Sequence, residues 1–216
     1  MLGEAYFYLL MSWVHWPARR RIAVDHLRVV KSMSGASRVV DVGCGPALFI
    51  RDVLDAGFSY LGVDTEPGTM VYCRRTYGAL PGVRFAQCEL GAISAEINKR
   101  DVLVFNGVYH HVDDAVADSF WTIAAGAHSV IVGDHYREAG EITALNRFLQ
   151  ERDRGKFVRD YAYFRERKGF VLAREAVVPV PGSWMPVWRY FTKGLQEIEW
   201  VIFEHFRALA ACKSGS

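Results

Sequence analysis

At 216 residues and 51% hydrophobic, the chain has the length and apolar content for one domain with a sizeable core, with room for an elaboration. Its 26 basic and 24 acidic residues leave a net charge of +2, too near balance for bulk electrostatics to argue for nucleic acid. The four cysteines (Cys44, Cys73, Cys88 and Cys212) form no Cys-x-x-Cys pair and no metal spacing, so the expectation is reduced thiols in a cytoplasmic protein without a metal.

Residues 4–33 read as helical with a break at Pro17. Ile22, Leu27, Val29 and Val30 form an apolar stripe among Arg19, Arg20, Arg21, Arg28 and Lys31. The apolar run Tyr6–Val14 is too short to cross a bilayer. It has neither the basic lead nor the small-residue cleavage site of a signal peptide. Two roles fit this helix. It can pack on a sheet edge, or its aromatics and arginines can rest on a membrane interface as a peripheral contact.

The run Arg38-Val-Val-Asp-Val-Gly-Cys-Gly-Pro-Ala-Leu-Phe-Ile50 reads as a buried strand, a glycine turn and a helix start. Val39, Val40 and Val42 suit a strand covered on both faces. Gly43 and Gly45 allow a sharp turn and close approach to a ligand. Pro46 suits the first helical position, which would aim free N–H groups of a helix over 46–56 at that ligand. Phe58–Val63 is the second strand. It ends at Asp64, 21 residues after Gly43, where a carboxylate can accept from two vicinal ribose hydroxyls. NAD and S-adenosylmethionine sites share this logic.

Further strands are expected over 82–86, 101–105 and 127–133. Helices are expected from Thr65 or Glu66 to Tyr77, over 93–97, and over 113–126. Alternating strands and helices indicate an α/β fold with a doubly wound, mostly parallel sheet. After Asp134 the pattern changes. Helices are expected over 138–150 and 161–168, strands over 170–180 and 186–192, and a closing helix over 196–211. The domain reading is a helical cap (1–35), the α/β domain (36–194) with a helical insertion at about 138–168, and a C-terminal helix and tail (195–216).

Several residues converge on the carboxyl ends of these strands, where such sheets bind ligands. His110 and His111, in Asn106-Gly-Val-Tyr-His-His, are candidates for a general base because imidazole titrates near neutrality. The alternative for either is a structural histidine bonded to backbone. Asp134 beside His135 forms a second candidate, a carboxylate that can orient an imidazole. Arg154 and Arg159 can grip an anionic acceptor with their guanidinium forks, or belong to a solvated charged face.

Asp41-Val-Gly-Cys-Gly, Gly62-Val-Asp64, Val83-Arg-Phe-Ala-Gln-Cys-Glu89-Leu, Asp101–Asp114 and Ser129-Val-Ile-Val-Gly-Asp follow one another in order. In this the chain resembles the class I S-adenosylmethionine-dependent methyltransferases. Ala47 departs from the family's frequent third glycine, and Glu89 from its commoner Asp. The resemblance implies a seven-stranded sheet whose last strand is antiparallel, with S-adenosyl-L-methionine as cofactor. Asp41 would hold the methionine part, directly or through water, with the Gly43, Cys44 and Gly45 backbone beneath it. Asp64, with Thr65 beside it, would take the ribose. Glu89 would take the adenine amino group, with the Leu90 N–H facing the ring, and the Asn106 and Gly107 backbone would reach the amino acid part.

The expected function is methyl transfer to O, N or C of a small-molecule acceptor, lipid-like or a secondary metabolite. No Asn-Pro-Pro-Tyr or Asp-Pro-Pro-Tyr follows the fourth strand, which argues against a nucleic-acid amine. Two other readings stand beside this one: a cyclase or isomerase that keeps the cofactor without methyl transfer, and a non-catalytic membrane-associated binding module.

Overall fold

The structure is a computed structural model, and it describes residues 24–32, 35–134, 136–137, 156–165, 169–178 and 198–205. Five apolar runs form its parallel sheet: β1 (Arg38–Val42), β2 (Ser59–Asp64), β3 (Val83–Gln87), β4 (Asp101–Asn106) and β5 (Ser129–Asp134). Their spatial order is β3-β2-β1-β4-β5, and every neighbouring pair is parallel. The order reverses at β1, so the carboxyl ends of β1 and β4 border the crevice where such sheets bind ligands.

Successive strand side chains point to opposite faces, and both faces are covered. Val39, Tyr60, Val104 and Ile131 lie in one core. It includes the helical residues 24–32 (α1), α2 (Ile50–Asp55) and α3 (Pro67–Tyr77), through Leu27, Ile50, Val53, Met70 and Cys73. Val40, Leu61, Leu103, Phe105 and Val132 lie in the other core. There the sheet meets the 3-10 stretch Leu90–Glu96 and α4 (Asp114–Ala124), whose Ala117, Phe120, Trp121 and Ala124 are buried.

The local start signals work as chemistry requires. Asp113 caps α4 by accepting from Val116 N at 2.9 Å, and Glu66 caps α3 by accepting from Thr69 N, with Pro67 following.

Several expectations change. The stripe of α1 is Val24, Leu27 and Val30, whereas Val29 is exposed, because i and i+3 positions share a helix face; Ile22 lies outside the described residues. The helix expected from Pro46 begins only at Ile50. Gly43, Gly45 and Ala47 all have positive φ, which no right-handed helix accommodates.

Beyond β5, Tyr136–Arg137 (β6) pairs in parallel with Arg159–Asp160 (β7), and Tyr161–Arg165 (α5) follows. Phe170–Val178 (β8) is extended, as expected. The closing helix expected over 196–211 is replaced by a strand, β9, over Ile198–His205. Trp200-Val-Ile-Phe is a contiguous apolar run of aromatic and β-branched residues, which favours a strand over an amphipathic helix. The expected helix over 138–150 and strand over 186–192 lie outside the described residues. Among the described residues no helix is long and apolar enough to cross a membrane.

Candidate active site

The glycine turn follows β1 and is held by the end of β2, its neighbour in the sheet. Gly43 N and Cys44 N both donate to Val63 O, at 2.8 and 3.1 Å, and Gly45 N donates to Asp64 Oδ2 at 2.9 Å. The N–H groups of this turn are therefore engaged within the protein. The turn offers a ligand its shape rather than a row of free donors, contrary to the expected helix-terminus arrangement. Gly43 is required on two counts: its φ is +64°, and a Cβ there would meet Val108 Cγ2 at 2.7 Å.

Asp64 stands at the tip of β2, half-buried. Its Oδ2 accepts from Gly45 N and its Oδ1 from Glu66 N, at 2.9 Å each. Each carboxylate oxygen keeps one further acceptor position. Thr65 beside it is exposed. One strand further out, Glu89 is exposed and makes no side-chain cap bond at the start of the Leu90–Glu96 stretch, while Leu90 is buried. On the other side of β1, Asn106 and Gly107 end β4, and Gly107 N donates to Gly133 O at 2.6 Å. The sequence-expected cofactor residues thus line the carboxyl ends of adjacent strands.

Asp41 and Cys44 lie under the turn rather than on it. Asp41 is buried and accepts from the Tyr60 hydroxyl at 2.6 Å. Burial pushes its carboxyl up to about 7; the Tyr60 bond opposes this, and the Asp64 charge adds to it. Tyr60 was not singled out from sequence. Its signal was available: Val39 pairs with Tyr60 and Asp41 with Gly62, so Tyr60 shares a face with Asp41. The Cys44 and Cys73 thiols both approach Gly45 O, at 3.7 and 3.2 Å. Among the described residues Cys44, Cys73 and Cys88 are free thiols, and the Cys73 contact together with burial raises the Cys44 thiol well above its ordinary value. Cys44 is therefore a packing element of the turn. Cys212 lies outside the described residues.

Between the ends of β4 and β5 the structure joins two separate sequence candidates into one. His110 Nδ1 lies 2.5 Å from Asp134 Oδ1, and Asp134 Oδ2 accepts from Tyr109 N at 2.6 Å. Both side chains are buried. Asp134 thus reaches His110 across 24 residues, because β4 and β5 are neighbours. His135 lies outside the described residues. His111 is exposed, with its ring 4.0 Å from that of His110. A carboxylate on Nδ1 fixes the neutral ring with its proton there and its lone pair on Nε2.

Arg159, expected as an anion grip or a solvated charge, is neither. It is buried against main-chain carbonyls and Asp114. Arg154 lies outside the described residues. Among the described residues, no three His, Cys, Asp or Glu side chains gather as a metal site.

Residues 40–124 match the family model described as Methyltransferase domain. Among solved structures, the chain is similar to the mitomycin 7-O-methyltransferase MmcR, at 19% identity over 86% of this chain and 54% of that one, with a TM-score of 0.57. It is similar to magnesium protoporphyrin IX methyltransferase (ChlM) from Synechocystis PCC 6803, solved with bound SAH, at 14% identity over 91% and 87% of the two chains, TM-score 0.62. It is also similar to the small RNA methyltransferase HEN1, at 17% identity over 88% of this chain and 25% of that one, TM-score 0.63. The chain spans about half the length of the first of these. Comparison with curated proteins gives no match. Residues 40–124 thus match a methyltransferase domain, and the fold around them is similar to that of solved methyltransferases.

Proposed function

We propose that the chain transfers the methyl group of S-adenosylmethionine to an O, N or C atom of a small-molecule acceptor, with His110 as general base and Asp134 as its orienting carboxylate. The observation that carries this reading is the 2.5 Å contact of His110 Nδ1 with Asp134 Oδ1 at the ligand-binding end of the sheet.

The residues present fit the cofactor. A turn with no Cβ at Gly43 or Gly45, the Asp64 carboxylate and the exposed Glu89 carboxylate stand on adjacent strands. Asp64 would take the ribose hydroxyls, with Thr65 beside it, and Glu89 the adenine amino group, with the Leu90 N–H toward the ring. The Gly43, Cys44 and Gly45 backbone would carry the body of the cofactor above Asp41, and Asn106 and Gly107 would flank its amino acid part. When bound, the cofactor supplies an electrophilic methyl on a sulfonium. His110 takes at Nε2 the proton that an acceptor hydroxyl, amine or acidic carbon must shed, and Asp134 stabilises the imidazolium so formed.

A small molecule is favoured because aromatic side chains, Phe157 and Tyr163, stand in the segment that packs against the His110 turn. We infer as well that the sheet is completed to seven strands with its last strand antiparallel. The antiparallel register of Ser129–Asp134 against Glu204–Glu199, and of β9 with β8, supports this.

The first test is calorimetric titration of S-adenosylhomocysteine with NADH as control. Wild type is expected to bind S-adenosylhomocysteine at micromolar Kd and not NADH, and Asp64→Ala to weaken binding at least about tenfold. Formation of S-adenosylhomocysteine is then followed with a panel of aromatic and lipidic acceptors. No turnover with any of them, alongside methylation of a protein or nucleic acid, would overturn the small-molecule reading.

A further inference from the structure

Arg159 departs from its surroundings. It comes from the most densely charged stretch of the chain, yet its side chain turns inward and is 7% exposed. Nε donates to Asp114 Oδ1 at 3.1 Å, and Nη2 lies 2.9 Å from both Asp114 Oδ1 and Val112 O. Nη1 donates to Tyr109 O and to Phe157 O, the latter at 3.2 Å. The guanidinium carbon stands 4.9 Å from the Tyr163 ring centroid.

The carbonyls of Tyr109 and Val112 bracket His110 and His111. The carbonyl between them on the same turn, His110 O, accepts from Phe157 N at 3.0 Å. One short segment of chain thus holds three carbonyls of the turn that carries the base. From the opposite side, Asp134 holds Tyr109 N and the His110 ring.

A surface ion pair does not account for this arrangement. Asp114 is 83% exposed and could pair with a solvated cation at no desolvation cost. Burying a guanidinium among neutral carbonyls is unfavourable unless its donors are matched, and the five-donor fork of arginine matches converging carbonyls where a lysine ammonium cannot.

We propose that Arg159 is a positioning residue of the active site: from the segment after β5 it clamps the Tyr109–Val112 turn, and this fixes the tautomer and orientation of His110 against Asp134. The proposal rests on His110 being the base, and it adds that the chain beyond the methyltransferase domain match sets the geometry of that base.

The test compares wild type, Arg159→Met, Arg159→Lys and Asp114→Asn by long-range 1H–15N NMR of the His110 ring, together with circular dichroism, thermal melting and S-adenosylhomocysteine titration. In wild type, His110 is expected as a single tautomer protonated at Nδ1. Arg159→Met is expected to fold, to bind S-adenosylhomocysteine within about threefold of wild type, and to lose that single tautomer to an exchanging mixture. Arg159→Lys, which keeps the charge but not the fork, is expected to do the same; Asp114→Asn, which leaves the carbonyl contacts in place, is expected to retain the wild-type ring.

A wild-type His110 signal in Arg159→Met would overturn the proposal whatever happens to the melting temperature, since a merely structural arginine would move only the latter. If Arg159→Met does not fold, Arg159→Lys decides in the same way. Absence of S-adenosylhomocysteine binding to wild type would sink the methyl-transfer reading instead, and the His110 signals would still report on the clamp.

Discussion

Asp41 shows how a single buried carboxyl shapes the behaviour of the site. Its carboxyl titrates near 7 in the folded chain because burial disfavours the charge, and near 4 when unfolded. Between those values the folded state holds a proton that the unfolded state has released. Asp41 therefore contributes most favourably below about pH 4, its contribution falls as pH rises to about 7, and it is flat above. From pH 5 to pH 8 this one group is expected to cost wild type about 3 kcal/mol. Asp41→Asn should remove that part of the slope, as urea unfolding at the two pH values would read. A slope unchanged in the variant would show that Asp41 ionises freely in the folded protein. At this scale the sequence was uneven. The strand-end placement of Asp64 and Glu89 was legible because acids that follow strand-like runs after a glycine turn are a local pattern. The contact of Asp134 with His110 was not, because adjacency of β4 and β5 is a property of the sheet.

Among the elements, the glycine turn carries the sharpest constraint. Gly43→Ala would place a Cβ 2.7 Å from Val108 Cγ2 on a backbone with φ +64°. Both the clash and the left-handed backbone are unfavourable, together about 2–3 kcal/mol. Adding Val108→Ala should relieve only the clash, so the double variant should regain part of the loss in urea unfolding relative to Val108→Ala alone. Full additivity of the two changes would mean that the turn and the Val108 side chain do not meet. Loss of the α4 cap in Asp113→Ala is expected to cost about 1 kcal/mol by the same measurement. The parallel strands were readable because burial on both faces leaves contiguous Val, Ile and Leu runs. Ile198–His205 was misread as helix because aromatic content alone does not separate a helix face from a buried strand. The contiguous run Trp200–Phe203, lacking a 3.6-residue period, was the available signal.

Across the whole molecule, stability should follow the sheet. β1 and β4 sit centrally, and Val39, Val40, Leu103 and Val104 are at most 1% exposed. Their amides are expected to exchange last, and S-adenosylhomocysteine should add protection chiefly at the turn between β1 and α2 and at the start of α3. Early exchange of β4 relative to β3 would contradict the central placement.

One further feature bears on how such a chain diversifies. β6 and β7 pair side by side, Tyr136 with Arg159, which sets their backbones about 5 Å apart. Residues 138–155, which lie outside the described residues, come between these two paired strands in sequence. Replacing residues 138–155 by a segment of different length and composition should therefore leave the donor half of the chemistry intact, with S-adenosylhomocysteine affinity within about threefold, while any change in accepted molecules would map to the exchanged segment. Such an exchange would separate an inherited engine from an interchangeable tool head, letting selection or an experimenter vary the second without rebuilding the first.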